Sequence, residues 1–346
     1  MSTRPRMDND SSSFSVATTP QPEPRSPVQD PALLSQSALA ADGSQSAPEY
    51  SVIVPAYRGK ATILECVGSL QQMATDLNLE IVVVESSGDG SAELVRERFP
   101  EVRVICSPSR LTAGQSRNLG IHHARGRWIF CVDQDCLVPH DWIPRLLQHL
   151  QQPGVGAAGG SLAVANPDNL SGWCVYFLEF LNHFPGRRNQ VKTNNFLIGA
   201  NSCWRPEVFT QLSFPDQTLG EDLLLSEMVR AQGYDVIYDP SITVRHHNRS
   251  GWSEFRRYCL AMGKSAAKDQ RRIGGFRINL VNRWPLLIFA APLMILPRIG
   301  WALRSAPPPY LLRYLLLLPC CFYGQLVWAS AFRATLLADH LDPRNT

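Results

Sequence analysis

Between residues 50 and 135 the chain repeats one pattern: a short apolar, β-prone run, a polar or Gly/Pro stop, then a helical stretch. The runs are Tyr50-Ser51-Val52-Ile53-Val54-Pro55-Ala56-Tyr57, Glu80-Ile81-Val82-Val83-Val84-Glu85, residues 102–106, and Arg127-Trp128-Ile129-Phe130-Cys131-Val132-Asp133-Gln134-Asp135. Helical patterns fall over residues 60–75, 92–99, 113–125 and 139–151. Strands alternating with helices at this spacing predict a parallel sheet with helices on both faces. Runs that are apolar without alternation suit strands covered on both sides. Pro55 cannot donate to a ladder and ends the first strand. Ser86-Ser87-Gly88-Asp89-Gly90-Ser91 ends the second, with Ser91 as a candidate helix cap.

The fourth run ends in two carboxylates one residue apart. In open α/β sheets, ligands bind at the carboxyl ends of the strands. Carboxylates held close together resist joint ionisation unless a cation shares the site. Mg²⁺ or Mn²⁺ fits, because hard cations take oxygen ligands and bridge them to substrate phosphates. A solvated acidic turn is the alternative. Glu85 ends its strand as Asp133 ends its own, which predicts two acidic tips on one rim.

At 346 residues the chain is long enough for one substantial core or two modest ones. A net charge of +3 does not point to nucleic acid. Nine scattered cysteines without a C-x-x-C pair suit a reducing compartment, mostly as small buried hydrophobes. A cleaved secretory signal is not expected. Residues 1–47, rich in Ser, Pro, Gln and Ala, are expected to be a disordered tail.

Past Asp135, Gly154-Val155-Gly156-Ala157-Ala158-Gly159 spells G-x-G-x-x-G. A helix precedes it and a strand-like run follows, the reverse of a dinucleotide fingerprint, so it reads as a closely packed Gly-rich strand. Residues 166–195 read as an insertion: an amphipathic helix near 172–182, then a basic loop with Arg187, Arg188 and Lys192, either lid or solvated loop. A strand-like run is expected over 196–204. Gly220-Glu221-Asp222 then opens a helix reaching about residue 232, where the carboxylates serve chemistry or cap the helix dipole. Short strands at 234–238 and 242–245 deliver His246-His247.

Taken in order, these pieces resemble a family 2 glycosyltransferase of the GT-A fold: the Val-Ile-Val-Pro-Ala-Tyr opening, the second strand with its Glu-Ser-Ser-Gly-Asp-Gly-Ser stop, Ala113-Gly114-Gln115-Ser116-Arg117-Asn118-Leu119-Gly120, Asp133-Gln134-Asp135, Gly220-Glu221-Asp222 and Val244-Arg245-His246. The fold implied is a Rossmann-like, mostly parallel central sheet with flanking helices, followed by C-terminal apolar helices. The activity implied is inverting, metal-dependent transfer of a sugar from a nucleoside-diphosphate-sugar, a UDP-sugar foremost, to a hydroxyl acceptor, lipid-linked or not. The resemblance implies that Pro55, Ala56 and Tyr57 line the nucleotide pocket and that Glu85 accepts from the base. Glu85 stands where the family more often has Asp, which leaves the base open. Arg117 would face the donor, and Asp133, with Gln134 beside it, would contact ribose or metal. Asp135 would ligate the metal together with His246 or its neighbour His247. Asp222 would be the general base, with Glu221 holding its position. The Gln-x-x-Arg-Trp motif of processive members is not found, which favours transfer of single sugars. A sugar nucleotidyltransferase or an inactive membrane-docked scaffold are the competing readings. The first is disfavoured because Pro55-Ala56-Tyr57-Arg58-Gly59-Lys60 is a poor phosphate loop.

The catalytic domain is expected over 48–263. A basic belt then runs through Arg256, Arg257, Lys264, Lys268, Arg271, Arg272, Arg277 and Arg283, ahead of two uncharged stretches at 284–297 and 314–332. Each is short or Pro-interrupted against a bilayer core of ~30 Å. Residues 264–346 therefore read as a membrane-associated segment on an anionic, cytoplasmic surface, peripheral, re-entrant or with one or two spans. A buried helical subdomain is the alternative.

Overall fold

Neighbouring residues of the apolar runs turn to opposite sides of one sheet, so each run serves two cores. The computed structural model describes residues 47–186, 191–193, 196–216, 219–273, 293 and 295–340. The four expected strands form as β1 (Tyr50–Ala56), β2 (Leu79–Glu85), β3 (Arg103–Cys106) and β4 (Trp128–Cys131), with α1 (Ile63–Ala74), α2 (Ser91–Arg98) and α3 (Ala113–His123) between them. Val52, Val54, Val83 and Phe130 enter one core. Ile53, Val82, Val84, Ile129 and Cys131 enter the other. The strands pair in parallel, in the order β3-β2-β1-β4. Thr112 and Gln115 close a capping box at the start of α3. Gly120 lets that helix settle on β1, since a Cβ there would lie 2.4 Å from Ile53.

Beyond β4 come β5 (Cys136–Leu137), α4 (Trp142–Leu150), β6 (Val155–Val164), α5 (Leu170–Glu179), β7 (Lys192–Thr193), β8 (Ser202–Trp204), α6 (Glu221–Ala231) and β9 (Asp235–His246). The sheet continues as β4-β8-β6-β9-β5, with β7 also on β9. β8 and β5 pair antiparallel to their neighbours, while β6 and β9 share a long parallel register. The result is the expected mostly parallel sheet with flanking helices. The glycine string runs into β6 as anticipated, with Gly154 just before the strand and Gly156 and Gly159 inside it. A Cβ at Gly160 would fall 1.9 Å from the Ile242 carbonyl oxygen.

Several local expectations are corrected. Ser91 does not cap α2. Gly90 takes the cap position at φ 89, and the Asp89 carboxylate accepts from the Ser91 amide and hydroxyl instead. The run at 196–204 is strand only at Ser202–Trp204. Its earlier amides donate elsewhere, Leu197 N to Ser226 Oγ and Gly199 N to Asp222 Oδ2. The two short strands near 234–245 are one strand, β9, which takes up a register shift over residues 240–242, opposite Gly160 and Ser161 of β6. Helix α5 is not one-faced: residues 171–177 are all buried. Its second cover comes from the C-terminal helices, as when Tyr310 and Tyr314 pack on Trp173 and Phe177.

Those helices are α7 (Trp252–Ile273), α8 (Ile295–Ser305), α9 (Pro308–Leu316) and α10 (Leu318–His340). Helix α7 runs through residues 263 and 264 and packs on α10. Among the described residues no single helix is long and apolar enough to cross a membrane, and Pro308–Leu316 with Leu318–Ala338 would qualify only as a pair bent by 64°. Pro319 falls in the first turn of α10, where its missing N–H costs little. Residues 1–46 of the tail expected at 1–47, Arg187, Arg188, Arg277, Arg283 and residues 284–292 lie outside the described residues, as do the side chains of Lys192, Arg271 and Arg272.

Candidate active site

Three consecutive residues after β4 reach three separate partners. Asp133 Oδ1 accepts from Arg117 Nη2 at 2.7 Å. Gln134 exchanges two hydrogen bonds of 2.9 Å with the backbone of Tyr57. Asp135 Oδ1 lies 3.3 Å from His246 Nε2. The backbone enforces this fan: Cys136 N closes a turn onto the Asp133 carbonyl, and β5 then pairs with the end of β9, setting Cys136 opposite His246. His247 N donates to the Asp135 carbonyl, while its ring points to Glu65 at 3.1 Å. Of the two histidines, the side chain at the Asp135 carboxylate is His246.

Asp135, Cys136 and His246 bring ligand atoms within 4.8 Å of one another. Burial raises the Asp135 carboxyl above its ordinary range; His246 pulls it down and Asp133 pushes it further up. Burial opposes a charged His246, but Asp135, Glu179 and Asp133 outweigh it and raise its pKa. Each group thus leans on a neighbour's opposite charge, which a divalent cation would supply to the carboxylates directly. Burial holds the Cys136 thiol well above its usual pKa, which disfavours the thiolate that a soft-metal site uses. One carboxylate and one imidazole with open positions fit Mn²⁺ or Mg²⁺ shared with substrate phosphates better than a closed soft-metal site.

On the far side of Asp133 stands the start of α6. Gly220, at φ 72, turns the chain so that Glu221 and Asp222 open the helix. Glu221 Oε1 accepts from Arg117 Nη1 at 2.6 Å, while Asp222 Oδ2 accepts from Gly199 N at 2.9 Å and Oδ1 from Leu223 N at 2.8 Å. Glu221 therefore grips Arg117, and Asp222 takes its place from backbone amides. Burial lowers the pKa of Arg117, but Asp133 and Glu221 more than reverse this and hold the guanidinium charged.

Pro55 and Ala56 end β1 beside Glu85, which pairs with Ala56 across the register. The Glu85 carboxylate folds onto its own loop and accepts from Ser87 N and Gly88 N at 2.5 and 3.0 Å. The Tyr57 ring carries the Arg110 guanidinium 4.6 Å from its centroid and that of Arg58 at 5.4 Å. Sequence reading missed Arg110. It also missed Asn248, whose Oδ1 lies 3.0 Å from His246 Nδ1, and Glu179, which faces His246 and hydrogen-bonds Tyr258. None sits in a periodic pattern or motif; Asn248 is a sequence neighbour of His246, whereas Arg110 and Glu179 reach their partners only through folding.

Residues 51–212 match the family model described as glycosyl transferase family 2. The chain is 27% identical over 266 residues to the succinoglycan biosynthesis protein ExoO of Rhizobium meliloti (strain 1021), covering 66% of this chain and 74% of that protein. It is 34% identical over 106 residues to the glycosyltransferase GlyG of Streptococcus pneumoniae serotype 4, covering 30% of this chain and only 35% of that protein. In fold it is similar to the mannosyltransferase PcManGT of Pyrobaculum calidifontis, solved with GDP-Man and Mn²⁺, at a TM-score of 0.52 and 19% identity over 86% of this chain and 88% of that one. By that match residues 51–212 form a family 2 glycosyltransferase region, and the chain has the GT-A fold.

Proposed function

We propose that this chain transfers one sugar at a time, with inversion, from a nucleoside-diphosphate-sugar, a UDP-sugar in the first instance, to a hydroxyl acceptor in glycoconjugate or polysaccharide synthesis. The observation that carries the reading is the convergence of the Asp135–His246 pair, Asp133 and the Asp222-bearing helix on one rim. Pro55, Ala56, Tyr57 and Glu85 line the base side of the donor, and Asp133 with Gln134 the ribose side. Asp135 and His246 hold a divalent cation, which when bound offsets the charge of the leaving diphosphate. Asp222 takes the proton of the acceptor hydroxyl; the freed oxygen attacks the anomeric carbon as its bond to the diphosphate breaks. One displacement with one base inverts the anomeric configuration. The GDP-Man and Mn²⁺ bound to PcManGT are in keeping with these classes of donor and cation.

Residues 264–346, with the basic face of α7, are proposed to dock the enzyme on the cytoplasmic face of the cell membrane. Arg256, Arg257, Lys264 and Lys268 are exposed on α7, and Leu296, Leu312 and Leu316 are exposed on α8 and α9. Asp222→Asn should lower transfer from UDP-sugars with Mn²⁺ by ~10²–10⁴-fold, the usual worth of a general base. Asp135→Ala should abolish the dependence on added Mn²⁺ along with most activity. Undiminished transfer in both variants overturns the assigned roles.

A further inference from the structure

We infer that Arg117 is a positioning residue that locks the base-bearing helix α6 to the donor-side tip of β4, without touching the donor. Its two terminal nitrogens are committed to Asp133 and to Glu221, a residue 104 positions away. The side chain is 3% exposed, and its Nε is buried without a hydrogen-bond partner among the described residues. The guanidinium also lies 5.4 Å from the centroid of the Phe214 ring. Asn118, the next residue on α3, fixes that ring by exchanging hydrogen bonds of 2.8 and 2.9 Å with the Phe214 backbone.

The guanidinium also lies close against Gly199. A Cβ at residue 199 would fall 2.2 Å from Arg117 Cζ, so only glycine brings that backbone into place. The amide of Gly199 is the donor that holds Asp222. A continuous line of contacts therefore runs from Asp133 through Arg117 and Gly199 to Asp222, with Glu221 as the brace.

A buried ion pair of this kind adds little net stability, because desolvating the charges offsets their attraction. An unsatisfied Nε adds to that cost. What the arrangement supplies is registry between two elements that the sequence does not connect. Registry matters here because a misplacement of ~1 Å in a reacting group costs on the order of 10²-fold in rate.

The inference rests on Asp222 being the base, and the experiment separates the two. Arg117→Lys, Gly199→Ala, Glu221→Gln and Asp222→Asn are compared by kcat, donor KM and calorimetric binding of UDP with Mn²⁺. Lysine keeps the charge but cannot hold both carboxylates in the same fork. The first three variants are expected to lose kcat by roughly 10–100-fold, while donor KM and UDP affinity stay close to wild type. Thermal unfolding identifies a variant that fails to fold; Gly199→Ala displaces the guanidinium without substituting Arg117, and Glu221→Gln removes only one of its partners. A raised donor KM with kcat preserved in Arg117→Lys makes it a donor ligand and overturns the inference. Full activity in the first three with loss in Asp222→Asn removes the linkage but keeps the base. Full activity in Asp222→Asn removes the base, and the inference with it.

Discussion

The strands of residues 50–131 and the helices of residues 295–340 draw on the same apolar residue types and end at opposite extremes of exposure. Val52, Ile53, Val54, Val82, Val84 and Phe130 are wholly buried, whereas Leu296, Leu312 and Leu316 are 60–70% exposed. Among the exposed large hydrophobics of the described residues, only Leu170, Val191, Leu223 and Trp252 precede residue 293. A central strand has a helix layer on each face and wastes no apolar side chain. The terminal helices have the body of the protein on one side only. They use that side fully, burying Tyr314 and Cys321 against α5 and its neighbours. Their other side is an apolar surface of the sort that marks an interaction site on a soluble protein.

The sharpest way to break this contrast is a matched pair of truncations. Phe130→Ala should cost about 3–5 kcal/mol in denaturant unfolding, from lost transfer energy and the cavity left behind. Leu316→Ala, at a site 70% exposed, should stay within about 0.5 kcal/mol. Comparable costs at the two sites would show that the Leu316 face has a cover within the chain. Next in size is the surface itself. The full chain should sediment with anionic vesicles at low salt, and neutralising Arg256, Lys264 and Lys268 together should weaken binding by about 1 kcal/mol per charge. A chain that stays in the supernatant, or binds neutral vesicles equally well, removes the proposed docking.

The smallest effect tests how the strand half treats polar groups. Burial opposes the charged form of Glu80, but hydrogen bonds from Ser51 and Arg125 outweigh it and hold its pKa below the ordinary value. A depressed folded-state pKa contributes stability that is present above the unfolded value of about 4.3 and lost as pH falls through the folded one. Glu80→Gln should cost roughly 1–3 kcal/mol near neutral pH. The gap to wild type should close on acidification below about pH 4.3. A gap independent of pH would mean that Glu80 acts by shape alone.

The four strands β1 to β4 and their parallel sense were legible because each strand announces itself locally, through an apolar run and a Pro, Gly or Asp stop; their order β3-β2-β1-β4 came only from the structure. The reading of 154–159 as packed strand succeeded for a similar reason, since the order of flanking elements is a local fact. The acidic residues of the rim were legible as types at strand ends and a helix start. Their partners were not. Nothing near Glu221 in sequence says that it grips Arg117, and nothing at residues 196–201 says that their amides serve α6 in place of a ladder.

Local periodicity and stop residues thus carried the element types and their alternation, and the ordered motifs carried the resemblance to the family. The choice of His246 over His247, the Arg117 brace and the burial of α5 on every side came from folding. They depend on which distant backbone closes against which, as β5 against the end of β9 does for His246. Hydrogen bonds and close packing act over a few ångströms in space, and no pattern confined to neighbouring residues records contacts between segments 100 residues apart.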